Sequence, residues 1–278
     1  MEKVSQKAIR FMCPEEGTQI IMQRHCNYDR EEGFLIPESV ENQNNLYEQF
    51  VEQMKDSLTP EEMKNTYFLF IASSTKGKND LQRSKETTLI AKGVIDDAFA
   101  SDQIINNQLK QGSRAVKDGI LLHGHLVEPK MFSSQPEYLE FLKENTDGTM
   151  KGVFSAFEDD VFVEERQQMG AEGPDEIVER MDHTITALTR YSDNFHEQHP
   201  GCRLVIVSGT HYDTISPYTK SVYGLPKTEY VGVDYCGGFS ITINKEKEAN
   251  ITINDDTMPL QVKESEHKPP QQTETPTF

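Results

Sequence analysis

The stretch Thr18-Gln19-Ile20-Ile21-Met22-Gln23-Arg24-His25 decides the fold reading of this chain. Ile20-Ile21-Met22 is a short, unbroken apolar run with polar residues on both sides, as expected of a strand covered on both faces. Strands of that kind belong to α/β sheets, whose ligand sites gather at the carboxyl ends of parallel strands. A strand over Thr18 to Gln23 delivers Arg24 and His25 to that edge. An imidazole and a guanidinium therefore stand where a site would form.

Working outward, three more stretches read as strands: Tyr67 to Ala72, Arg203 to Val207, and Phe239 to Ile243 with Ile251-Thr252-Ile253 as its hairpin partner. Between them, apolar residues recur at helical spacing. Leu46, Phe50, Val51, Met54 and Leu58 form one stripe after Pro37-Glu38-Ser39. Leu89, Ile90, Val94, Ile95 and Ala98 form a second, and Ile177, Val178, Met181, Ile185 and Leu188 a third, entered through Gly173-Pro174. Alternation of strands and helices predicts a three-layer α/β/α sandwich around a mostly parallel sheet with an antiparallel edge. One domain over residues 1–254 is expected. Residues 101–173 are irregular and too long for a plain connection, so they are read as an insert capping the site. Residues 255–278 are polar and proline-rich and are read as a disordered tail.

Bulk properties narrow the function classes. A length of 278 residues suffices for a sizeable core, and 35% hydrophobic with 27% charged residues describes a globular chain on the polar side of average. The formal charge of −18 repels a phosphate backbone, so nucleic acid is not an expected partner. No apolar run reaches the ~20 residues of a membrane helix, and the first residues lack the apolar core of a secretory signal. Four scattered cysteines without a CxxC pair suit reduced thiols. A cytoplasmic protein with no membrane partner is the expectation.

The chemistry follows from the strand ends. A neutral imidazole can attack phosphorus and hold a phosphoryl group. Guanidinium forks match phosphate oxygens and keep their charge near neutral pH. His25 and Arg24 follow the first strand, Arg83 follows the second near a helix start, and His211 follows the third in Ser208-Gly209-Thr210-His211. All converge on one sheet edge.

Here the chain resembles the histidine phosphatase superfamily, the phosphoglycerate mutase-like proteins. The resemblance rests on Arg24-His25, on Ser73-Ser74 with Arg83 and Thr87, on Gly173-Pro174-Asp175-Glu176 with Arg180, and on Val207 to Ile215 followed by Tyr223-Gly224-Leu225-Pro226. It covers about residues 15–254 in order. It implies a phosphoglycerate mutase-like fold and phosphomonoester hydrolysis through a phosphohistidine on His25. It also implies a phosphate pocket of Arg24, Arg83 and His211, and no metal or organic cofactor. The general acid it implies lies in the insert, where Glu128 is the choice; Glu158, Asp159 and Glu164, with Asp213 beyond the insert, are rivals. Small phosphorylated metabolites and phosphoproteins are both open as substrates. The alternatives are a phosphoglycerate-type mutase and a non-catalytic phosphate-binding protein.

Three departures from the pattern carry expectations. Cys26 stands where a glycine is usual and is expected to narrow the pocket or add an oxidisable thiol. Two extra residues, Gly209-Thr210, separate Ser208 from His211, so a different turn is expected. The Glu-Ser element is reduced to Pro174-Asp175-Glu176. Elsewhere, His123-Gly124-His125 is read as a loop rather than a metal pair.

Overall fold

The structure, a computed structural model, describes residues 3–29, 31–77, 80–109 and 116–262. Among these residues, eight strands form a single mixed sheet: β1 (Thr18–Arg24), β2 (Thr66–Ser73), β3 (Val116–Lys117), β4 (Ile120–His123), β5 (Arg203–Thr210), β6 (Gly238–Ile243), β7 (Ala249–Ile253) and β8 (Asp256–Pro259). Their order is β3-β4-β2-β5-β1-β6-β7-β8. The central four, β4, β2, β5 and β1, run parallel, and antiparallel pairs close both edges. The sandwich expected from the sequence is present, with two antiparallel edges where one was expected.

The helices are α1 (Pro37–Ser57), α2 (Pro60–Lys64), α3 (Arg83–Ala98), α4 (Ile105–Gln108), α5 (Pro136–Glu144), α6 (Met150–Glu158), α7 (Val163–Gln168), α8 (Pro174–Gln198) and α9 (Tyr212–Tyr223). Strand residues alternate between the two layers, as the period of two demands. Ile20, Met22, Leu69, Ile71, Leu204 and Ile206 pack with Met181 and Ile185 of α8 and Ile215 of α9. Ile21, Phe68, Phe70, Val205 and Val207 face the other way, onto Phe50 and Met54 of α1 and Ala91 and Ile95 of α3. Continuous apolar runs in the sequence are therefore two interleaved cores.

Two boundaries read from composition move. The stretch taken as an irregular insert begins inside the sheet, because β3 and β4 extend its edge and β4 pairs in parallel with β2. At two and four residues these strands are too short to give a periodic signal. The cap proper is α5 to α7, built on its own small core of Met131, Tyr138, Leu142, Val153 and Phe157. At the other end, β8 pairs with β7, so residues 256–259 belong to the sheet and not to a tail. Residues 263–278 of the expected tail lie outside the described residues.

The two additional residues before His211 make no new turn. They lengthen β5, pairing Gly209 with Gln23 and Arg24 with Thr210, so β1 and β5 end level. Alternation points position 209 to the same side as Val205 and Val207, toward α3. A Cβ at 209 would lie 2.4 Å from Thr88 Oγ1 and 2.7 Å from the Ser84 carbonyl oxygen, so glycine is what admits the helix this close.

Candidate active site

The carboxyl ends of β1, β2 and β5 open into a cavity of about 750 Å³ whose wall includes Arg24, His25, Arg83, Glu128, His211 and Asp213. All five residues predicted for the site are thus brought together. The cap contributes too, through Phe154, Glu158 and Asp159 at the end of α6. Of the rival acids, Glu164 is exposed on α7 and does not line the cavity.

His25 is held by its surroundings in one protonation pattern. Its backbone N–H donates to the Thr210 carbonyl at 3.0 Å, tying the residue to the end of β5. Its ring Nδ1 lies 2.7 Å from the Cys26 carbonyl oxygen. A carbonyl can only accept, so Nδ1 carries the hydrogen and Nε2 keeps the lone pair. Burial, then the adjacent His211 ring, whose protonation would compete with its own, and the positive charge of Arg83 hold the His25 pKa well below the usual histidine value. The imidazole is neutral near pH 7.

His211 is equally buried, at the N-cap of α9. Its Nε2 lies 2.9 Å from Ser73 Oγ and 3.3 Å from Ser84 Oγ. The two imidazole rings are 5.2 Å apart. Burial and the flanking guanidinium groups of Arg83 and Arg24 keep His211 well below its ordinary pKa as well. Its Nδ1 has no hydrogen-bond partner and sits 3.5 Å from Glu128 Oε1.

The arginines are held by ring faces as well as by charge. Arg24 has its guanidinium carbon 3.8 Å from the Tyr235 ring centre and donates through Nη1 to the Val233 carbonyl, while its buried Nε has no partner. Arg83 opens α3, where the helix N-terminus favours an anion. Its guanidinium lies 4.4 Å from the Tyr28 ring centre and pairs with Glu128 Oε1. The spacing of Arg83 and Thr87 has a visible role. Thr87 Oγ1 donates to the Arg83 carbonyl and accepts from the Cys26 N–H, both at 2.8 Å, which locks the peptide after His25 to the first turn of α3.

Asp213 sits in the first turn of α9, 5% exposed, with Oδ2 unpartnered. Burial, then the charge of Glu128, pushes its carboxyl up to about 7. Arg180, matched only loosely from sequence, donates to the carbonyls of His125 and Val127 at 3.0 and 3.2 Å and pairs with buried Glu172, so it fixes the segment that carries Glu128. The Gly173-Pro174-Asp175-Glu176 element is the start of α8, where Glu176 accepts from the Gly173 N–H at 3.0 Å. Cys26 does not narrow the cavity. Its sulfur turns away from the wall, toward Ser39 and Cys236.

No protein family and no curated protein matches the chain by sequence. Among solved structures there are likenesses. The chain is similar in fold to phosphoglycerate mutase. The structure of that protein from Bacillus anthracis str. Sterne matches over 87% of this chain and 94% of its own, at 14% identity and a TM-score of 0.43. YhfR of Bacillus stearothermophilus matches over 86% and 97%, at 12% identity and 0.42. A phosphoserine phosphatase from Entamoeba histolytica, solved with 3-phosphoglyceric acid, matches over 90% and 98%, at 13% identity and 0.34. At such identities the chemistry rests on this chain's own side chains.

Tyr28, Tyr235 and Ser84 carry no sequence signal for the roles they take here, since each acts on a residue far along the chain. Asp213 had one: an acid two residues past the site histidine, in the first turn of a helix.

Proposed function

We propose that the protein is a phosphomonoester hydrolase that passes the phosphoryl group through His25. The observation that carries this reading is the Nδ1–H bond of His25 to the Cys26 carbonyl, which leaves a buried, neutral Nε2 lone pair facing a cavity with two arginines. Nε2 attacks phosphorus in line as the alcohol oxygen departs. Arg24, Arg83 and His211 Nδ1 hold the equatorial oxygens. A carboxylic acid protonates the departing oxygen, then takes a proton from the water that frees His25.

Two carboxyl groups are candidates for that acid. Glu128, nominated by its place in the sequence, has Oε1 engaged by Arg83. Asp213 is favoured by its unpartnered oxygen and a carboxyl at about 7, which leaves it substantially protonated at neutral pH. The reading calls for no metal or organic cofactor. It retains a small phosphorylated metabolite or a phosphoprotein as substrate, and a cytoplasmic setting that the four free thiols suit. No helix among the described residues is long and apolar enough to cross a membrane.

The test is release of phosphate from an aryl phosphate in the presence of chelator, with His25→Ala alongside. Turnover lost in the variant supports the reading, and turnover retained in it removes His25 as nucleophile. Phosphate binding with no hydrolysis of any ester would favour the binding-protein alternative, and transfer to an acceptor alcohol the mutase.

A further inference from the structure

Cys26 and Cys236 come from opposite ends of the chain, yet their sulfurs are 3.2 Å apart. Both are fully buried, and both face the same backbone oxygen, that of Ser39, at 3.5 and 3.9 Å. Cys236 also adopts φ of 59°, in the left-handed region that a side chain other than Asn or Asp rarely takes. An observed outlier of this kind is a sign that something other than local backbone preference holds the residue. Each cysteine directly follows a residue of the cavity wall, His25 and Tyr235 respectively.

We propose that Cys26 and Cys236 are a peroxide-oxidisable dithiol whose closure to a disulfide disables the phosphate site. The thiols are unequal. The neighbouring Cys236 thiol, 3.2 Å away, can donate to the Cys26 sulfur and favours its thiolate, whereas Cys236 is pushed up by its neighbour and by burial. Cys26 sulfur attacks one oxygen of hydrogen peroxide, the O–O bond breaks, and hydroxide leaves as water once protonated. The Cys236 sulfur then attacks the resulting sulfenic acid. The S–S bond forms, the S–O bond breaks, and the second water carries off the Cys236 proton. Two thiols and one peroxide become one disulfide and two waters, and an external dithiol reverses the step.

The consequence for the site follows from the attachments. Closing the sulfurs to the ~2.05 Å of a disulfide draws residues 26 and 236 together. The Cys26 carbonyl sets the His25 tautomer, and Tyr235 stacks on the Arg24 guanidinium. Oxidation therefore strains the nucleophile's hydrogen bond and the arginine's support together. This inhibitory half rests on the phosphatase reading, whereas the disulfide half does not.

The experiment uses the full-length native protein, treated with hydrogen peroxide, alkylated, and only then unfolded and digested without reductant. The expected product is a Cys26–Cys236 cross-linked peptide pair, lighter by two hydrogens than the separate peptides. Inorganic phosphate binding should weaken at least tenfold on oxidation and recover with dithiothreitol. Cys236→Ser should abolish both the cross-link and the reversible loss. Cys202, the most exposed thiol, and Cys13, buried apart, are internal controls. Oxidation of Cys202 with Cys26 and Cys236 still free overturns the proposal. So does a cross-link that leaves phosphate binding unchanged, or reversible inhibition that survives in Cys236→Ser. If the reduced protein binds no phosphate, the phosphatase reading falls and the peptide analysis alone decides the dithiol.

Discussion

Gly209→Ala tests the link between the sheet and the site. The added Cβ meets Ser84 O at 2.7 Å and Thr88 Oγ1 at 2.4 Å. Ordinary contact begins near 3.4 Å, so the helix backbone at Ser84 must withdraw by about 0.7 Å, a scale at which packed interiors respond. Rotation of Thr88 offers little relief, because its hydroxyl donates to that same Ser84 carbonyl at 2.8 Å. Overpacking of this kind costs about 1–3 kcal/mol, offset by under ~1 kcal/mol of strand preference for alanine over glycine. The movement reaches the site because Arg83 adjoins Ser84, and Ser84 Oγ touches His211. A misplacement approaching 1 Å costs roughly 10- to 100-fold in rate. Urea denaturation and kcat/KM on an aryl phosphate are the two readouts. Unchanged stability together with unchanged turnover would refute the reasoning. Gly209→Ala with Thr88→Ala should recover only part of the loss, since the carbonyl contact persists; full recovery would place the constraint in the side chain alone.

Further expectations follow from the charges. His25→Asn should remove turnover and the acid-labile phosphoenzyme while leaving phosphate binding measurable, and a trapped phosphoenzyme in that variant would displace His25. The acid limb of the kcat/KM profile should lie below pH 6.5, because His25 stays neutral there, and the alkaline limb should fall near pH 7 as Asp213 loses its proton. If Glu128→Gln rather than Asp213→Asn removes the alkaline limb, Glu128 is the acid. Because the Asp213 pKa is raised on folding, the native state binds the extra proton between pH 3.8 and about 7, and stability falls as pH rises through that range. Asp213→Asn should therefore be more stable than the native protein at pH 8, seen as a higher urea midpoint. Lys220 and Glu158 form a buried pair at 2.8 Å between α9 and the cap. Lys220→Met alone should cost about 3–5 kcal/mol by stranding the carboxylate, and adding Glu158→Leu should restore most of it.

The sequence by itself determined the strand ends and what stands on them. Apolar runs of three to six residues announce buried strands, and Arg24-His25, Arg83 and His211 stand in the segments that come after them, so the site edge was readable from local pattern. The stripes of α1 and α8 were legible for the same reason, since a helix of 21 or 25 residues repeats its period several times. Short strands carry no such repeat. Accordingly β3, β4 and β8 went unread, and the insert and tail boundaries were misplaced with them. Gly209-Thr210 looked like an altered turn because sequence counts residues, whereas register against β1 shows that they only lengthen a strand. The rest was decided by tertiary structure alone. Desolvation sets the His25 and Asp213 protonation states, and it depends on what the fold packs around them. Tyr235 meets Arg24, and Cys236 meets Cys26, across more than 200 residues of chain. Such contacts arise from the antiparallel return of β6 beside β1, a pairing that no local spacing encodes.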